Sequence, residues 1–196
     1  MKHLKCLPLF VFLICTGISF AQTLEVVDFG PVSELDKNIY LQQIVGHDED
    51  GFYIVKSEGY NGLNGDNLWL EYYSNLTMTL EAKNQIVLPS VNGINTKYAR
   101  LFYIEKKLIL FSIAMDETQE RQFLYVQYLD QNGTIKNKPK KIGEIPLKNN
   151  PEHGFGFILT ENGTKITVYY HNTFMTYNNE PFTFKVIDSN LQVEFN

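Results

Sequence analysis

A register that recurs three times constrains this chain more than any other feature of its sequence. The short apolar runs Gly51-Phe52-Tyr53-Ile54-Val55, Lys107-Leu108-Ile109-Leu110-Phe111 and Lys165-Ile166-Thr167-Val168-Tyr169 begin 56 and 58 residues apart. Each is followed by a second run, at 68–73, 124–129 and 182–187, and the turns after these start at Ser74, Asp130 and Asp188, again 56 and 58 residues apart. From the start of the first run to that turn is 23 residues in every copy. Unrelated apolar runs do not hold a common register, so the chain reads as three copies of one supersecondary unit.

The side chains carry the same message. In the second run the fourth position is polar in each copy: Glu71, Gln127 and Lys185. The first, third and fifth are apolar: Leu68, Leu70, Tyr72; Leu124, Val126, Tyr128; Phe182, Phe184, Val186. Alternation with period two predicts a strand, and the fixed polar slot predicts that one of its faces is the more exposed. The first run is more continuously apolar, as a strand covered on both faces should be.

Each copy is predicted to hold four strands. Opening strands at 39–45, 98–103 and 155–159 lead into the first runs through Asp48-Glu49-Asp50-Gly51, Glu105-Lys106-Lys107 and Glu161-Asn162-Gly163-Thr164. Asp-Gly and Asn-Gly favour hairpins because these residues tolerate positive φ. Turns at Ser74-Asn75, Gln131-Asn132-Gly133 and Ser189-Asn190 lead to a fourth strand, which ends near 86–89 in the first copy and 142–146 in the second. No helix-period segment stands out after the N-terminal apolar stretch. The expected fold class is therefore all-β, with tandem four-stranded antiparallel units.

These hairpins, with Tyr73-Ser74-Asn75-Leu76, Leu129-Asp130-Gln131-Asn132-Gly133 and Ile187-Asp188-Ser189-Asn190-Leu191, resemble the blades of secreted bacterial β-propeller proteins, WD40-like or TolB-like. The Trp-Asp dipeptide of WD40 repeats is not present, since Trp69 precedes Leu70. The resemblance implies about three blades, at 39–95, 96–152 and 153–196, the last incomplete, after an N-terminal strand segment at 22–38. Propellers close with about four to eight blades. Two expectations follow: the chain is the N-terminal part of a longer propeller, or two three-blade copies close one ring as a homodimer.

The compartment is read from residues 1–21. Two lysines precede the largely apolar stretch 7–18, and Ser19-Phe20-Ala21 places small residues at −3 and −1 of a cut after Ala21. That is the layout of a secretory signal peptide, and the apolar stretch falls short of the roughly 20 residues a membrane span needs. The expected location is outside the cytoplasm: secreted, periplasmic or in the cell envelope. Cys6 and Cys15 both lie in the segment to be removed, so the mature chain is expected to carry no disulfide, thiolate nucleophile or cysteine metal site. Removing Lys2 and Lys5 leaves 15 basic against 22 acidic residues, which argues against a nucleic-acid partner. No transmembrane segment is expected in the mature chain.

Candidate sites are sought in the longest loops, 57–67, 114–122 and 171–181, which join the second and third strands of each copy. Tyr60, Asn61, Asp66, Asp116, Arg121, His171, Tyr177 and Asn178 are the candidate ligand-binding residues. Aromatic rings with amides and carboxylates suit glycan or peptide recognition. His47, His153 and His171 lack metal-ligand spacing, and Asp48-Glu49-Asp50-Gly51 reads as a hairpin turn and not as a calcium loop, so no metal site is expected. No catalytic residue and no cofactor are assigned, because neither G-x-S-x-G nor a phosphate-binding glycine loop occurs. The expected function is a secreted, non-catalytic binding or scaffold module for a glycan, a peptide or an envelope protein. The alternatives are an N-terminal fragment of a propeller hydrolase or lyase, and a glycan-binding lectin made by oligomerised partial propellers.

Overall fold

The computed structural model describes residues 38–59, 68–147, 154–171 and 182–195. The expected signal peptide, and the N-terminal strand segment except Asn38, lie outside the described residues. Within them the chain is all-β, with no helix. The first sheet runs β1 (Ile39–His47), β2 (Gly51–Glu58), β3 (Leu68–Ser74), β4 (Leu80–Gln85). The second runs β5 (Ser90–Val91), β6 (Ile94–Ile104), β7 (Lys107–Asp116), β8 (Arg121–Leu129), β9 (Lys140–Pro146). The third runs β10 (Gly156–Leu159), β11 (Lys165–His171), β12 (Phe182–Asp188), β13 (Val193–Phe195). In each sheet, neighbours in sequence are neighbours in space and pair antiparallel.

The repeat read from spacing is a repeat of hydrogen-bond register. Ile54 pairs with Glu71, Leu110 with Gln127, and Val168 with Lys185, at matching positions in the three central hairpins. The second opening strand is longer than its apolar pattern predicts, beginning at Ile94 instead of 98. Asn92 and Gly93 both have positive φ (52° and 80°), so they form a tight turn that folds β5 back onto β6. The fourth strand of the first sheet stops at Gln85, short of the predicted 86–89; Ile86 is nevertheless buried in the core.

Successive sheets pack face to face through two cores. Between the first and second lie Tyr53, Val55, Leu68 and Leu70 from one side and Leu101, Leu108, Leu110 and Leu129 from the other. Between the second and third lie Ile109, Phe111, Leu124 and Val126 against Ile166, Val168, Tyr170 and Ile187. Successive residues of β7 thus enter opposite cores, because side chains alternate along a strand. Each buried Leu, Ile or Phe contributes roughly 1.5–3 kcal/mol to this packing. Gln43 adds a polar clamp. Its Oε1 accepts from Tyr98 Oη (2.7 Å) and Leu101 N (3.2 Å), and its Nε2 donates to the Leu101 carbonyl, tying β1 to β6.

The polar slot of the third strand is not an exposed face, as its alternation suggests. Glu71 and Gln127 are buried. Gln127 shares the Leu110 face of the middle sheet and so lies between two sheets, with Nε2 donating to the Asn137 carbonyl (2.9 Å). Glu71, on the outer face of the first sheet, is covered by Lys56 (2.7 Å), Lys83 (3.4 Å) and the Tyr73 hydroxyl (2.8 Å).

The turns after the third strands differ in length. Asp130 N donates to Thr134 O and Asp188 N to Gln192 O, whereas Ser74 N donates to Thr79 O, so the first copy holds one extra residue. Asp130 and Asp188 also use Oδ1 to hold the backbone N–H groups two and four residues on.

Candidate functional site

The hairpin turns at one end of the first sheet form a rigid rim. Asp48 Oδ1 accepts from Asp50 N (3.1 Å), Gly51 N (2.8 Å) and Tyr72 Oη (2.8 Å). Tyr103 Oη, from the second sheet, reaches Asp48 Oδ2 at 3.5 Å. Asn75 N donates to the Asp50 carbonyl (2.8 Å), which locks the turn after β3 to the turn after β1. Gly51 permits the close approach: a Cβ there would stand 2.2 Å from the Tyr73 carbonyl oxygen and 2.5 Å from the Tyr72 ring.

Behind the rim the rings of Tyr72, Tyr53 and Tyr103 pack in series, with centroids 4.6 and 5.2 Å apart. Gln131 Nε2, from the turn after β8, donates to Tyr53 Oη (2.9 Å). The resulting cleft has a volume of about 870 Å³. Asp48, Glu49, Asp50 and Glu81 contribute its four carboxylates, and among the described residues no Lys or Arg lines it.

Electrostatics follow from these contacts. Burial opposes ionisation of Asp48, but the bonds from Tyr72, Gly51 and Asp50 outweigh it and hold the carboxyl below its usual range. Burial, then the Asp48 charge and Tyr103, push the Tyr53 phenol up to about 12. Burial and the bond to Asp48 raise Tyr72 as well. At neutral pH the Tyr53 and Tyr72 phenols stay protonated beside an ionised Asp48, an arrangement that attracts cations.

The corresponding end of the second sheet carries a cleft of about 560 Å³ with the opposite flavour. Lys106, Lys107 and Lys136 line it, and Tyr128 occupies the register position of Tyr72. Lys107 Nζ donates to Asn190 Oδ1 (2.7 Å), and Lys136 pairs with Asp130 (2.7 Å). Gln131 lines both clefts.

Of the residues chosen from the long loops, Tyr60, Asn61, Asp66, Tyr177 and Asn178 lie outside the described residues. Asp116 and Arg121 are cross-strand partners at the end of the β7–β8 hairpin, beside a cavity of about 380 Å³. Asp116 builds its own turn: Oδ1 accepts from Thr118 N (3.0 Å), Thr118 Oγ1 (2.6 Å) and Gln119 N (3.1 Å), and Oδ2 from Gln119 Nε2 (2.8 Å). The Thr118 hydroxyl leads the bonds that keep its carboxyl low. Arg121 pairs with Glu144 (3.1 Å), which Lys141 also meets (2.9 Å). His171 ends β11 on the third sheet, its ring 3.8 Å from that of Phe182.

Loop length therefore pointed to one end of the sheets, and the acidic cleft is at the other. Its residues come from three turns and two sheets, among them positions 48, 53, 72, 81 and 131, with Tyr103 packed behind Tyr53. The signals available in sequence were the acidic run Asp48-Glu49-Asp50 and the tyrosines at matched positions, Tyr72 and Tyr128. Among the described residues, no three His, Cys, Asp or Glu side chains are grouped to hold a metal ion. Comparison with protein-family models gives no match, and neither curated proteins nor solved structures give one.

Proposed function

We propose that this chain is a secreted or envelope-located binding module, built of β-propeller-type blades, whose acidic cleft takes a lysine- or arginine-bearing peptide segment. One observation carries the choice of ligand: four carboxylates rim the cleft, and among the described residues no basic side chain lines it. Charged rims of this kind steer and orient a ligand of opposite sign. A sugar is the weaker fit, because the three tyrosine rings pack on one another and on the rim and leave little open ring face for stacking. Support for the blade reading is the register shared by three consecutive antiparallel meanders. Support for export is the N-terminal layout, two lysines, an apolar stretch and Ser19-Phe20-Ala21.

The test is fluorescence anisotropy of a labelled Lys/Arg-rich peptide on the whole chain, beside its acidic counterpart and neutral oligosaccharides. The basic peptide is expected to bind alone and to weaken as salt rises. Replacing Glu49, Asp50 and Glu81 together by Gln, Asn and Gln is expected to weaken it about tenfold, at roughly 0.5 kcal/mol per exposed charge. Equal binding of the acidic peptide, or retention on the oligosaccharides alone, would overturn the assignment.

A further inference from the structure

The two contacts between sheets are the same contact made twice. From the first sheet, Tyr53, Val55, Leu68 and Leu70 point forward onto the second. From the second, Ile109, Phe111, Leu124 and Val126 point forward onto the third, at matching register. The third sheet carries the next set of forward positions: Thr167, Tyr169, Phe182, Phe184 and Val186. Among the described residues no further sheet packs on them; Thr167, Tyr169 and Val186 are half-buried, and Phe182 and Phe184 are 47% and 48% exposed.

The receiving half is equally regular. Leu108, Leu110, Gln127 and Leu129 receive the first sheet, and Ile166, Val168, Lys185 and Ile187 stand at the same positions facing the second. Their counterparts on the first sheet are Phe52, Ile54, Glu71 and Tyr73, on a face against which no sheet packs among the described residues, although Ile54 and Glu71 are themselves buried by their neighbours. Ile44, paired with Ile54 on that face, is 68% exposed. Glu71 already has Lys56 and Lys83 as partners, so covering the face strands no lone carboxylate. The turns agree. Leu191 is buried in the second inter-sheet core, and a Cβ on Gly133 would touch the Gln85 carbonyl oxygen, so both turns are seated on the preceding sheet. In the equivalent turn of the first sheet, Leu76 is 92% exposed.

We propose that a second copy of this chain docks head to tail, with the forward face of its third sheet on the receiving face of the first sheet. One molecule carries both halves of a contact that it already makes twice internally, so a copy of itself is the partner whose shape and register are matched on both sides. A contact between unlike faces closes into a ring if its rotation allows and otherwise grows open-ended. Closure as a dimer rests on the blade reading above: two copies supply six sheets, within the four to eight that complete a propeller.

Light scattering and sedimentation velocity of the chain across a concentration series test this, with Phe184→Glu disabling the forward face and Ile44→Glu the receiving face. Both side chains are solvent-exposed in the single chain, so far-UV circular dichroism should be unchanged. Wild type is expected at twice the 22.7 kDa chain mass. Each variant alone should be monomeric, with dissociation raised at least about 100-fold by a buried unpaired charge. An equimolar mixture of the two should regain a dimer, because one intact face remains on each. A monomeric wild type, variants that dimerise as well as wild type, or a mixture that stays monomeric would overturn the proposal. A concentration-dependent ladder abolished by both variants would keep the head-to-tail contact and overturn six-sheet closure.

Discussion

The Glu71 side chain is 3% exposed yet is paired with both Lys56 and Lys83. Burial resists its charge, but hydrogen bonds from Lys56 and Tyr73, with the charges of Lys56 and Lys83, outweigh that and lower its carboxyl below the usual value. A group whose folded value lies below its unfolded one stabilises fully above the unfolded value, about 4.3, and loses that contribution as pH falls through the folded value. The urea midpoint is therefore expected to stay level from pH 8 to about 5 and to fall below about 4. Glu71→Gln should cost about 2 kcal/mol at pH 7, because it strands two lysine charges, and should flatten the acid limb. An unchanged midpoint at pH 7 would mean that the pairs contribute nothing. Alternation identified residue 71 as polar and gave its face, but could not tell that its neighbours would cover it. The same limit hid the acidic cleft. Tyr53 and Tyr72 read as strand residues, and only cross-strand register and the packing of the second sheet bring Tyr103 and Gln131 to them.

At the level of single strands and turns, glycine positions decide how close neighbouring sheets can come. Gly133 has φ of 78°, and a Cβ on it would lie 2.2 Å from the Gln85 carbonyl oxygen. Gly133→Ala is expected to cost about 2–3 kcal/mol in urea denaturation, through left-handed backbone strain and a displaced turn. Gly163→Ala, also at positive φ (69°) but with open space around its Cβ position, should cost only about 1 kcal/mol. Equal losses at the two sites would remove the steric part of the argument. The central hairpins were legible because Gly51, Lys107 and Lys165 start strands in a fixed register. Edges were less so. The Asn92-Gly93 turn lengthens β6 beyond its apolar run, and β4 is polar along most of its length, since it is an edge strand with little to bury.

For the molecule as a whole, the middle sheet is the common wall of both cores. Phe111 is fully buried between the second and third sheets, touching Phe102 and Phe157 edge-on or tilted at 5.9 and 5.0 Å. Phe111→Ala is expected to cost about 3–5 kcal/mol. The single tryptophan, Trp69, is on the first sheet, whereas Phe111 packs between the second and third. Its fluorescence transition should nevertheless shift together with the circular dichroism transition, because β7 packs into both cores. A Trp69 transition left at its wild-type midpoint would show the first sheet unfolding independently. The strict alternation of β7 also sets how this gene can drift. Gaining or losing a codon inside 107–116 would send Leu108 and Leu110 where Ile109 and Phe111 belong, scrambling two interiors at once. The Ser74–Thr79 turn already accommodates an extra amino acid, with the register shift beside it confined to Tyr72–Tyr73, so length variation among descendants of this chain should accumulate at such corners and spare the centre.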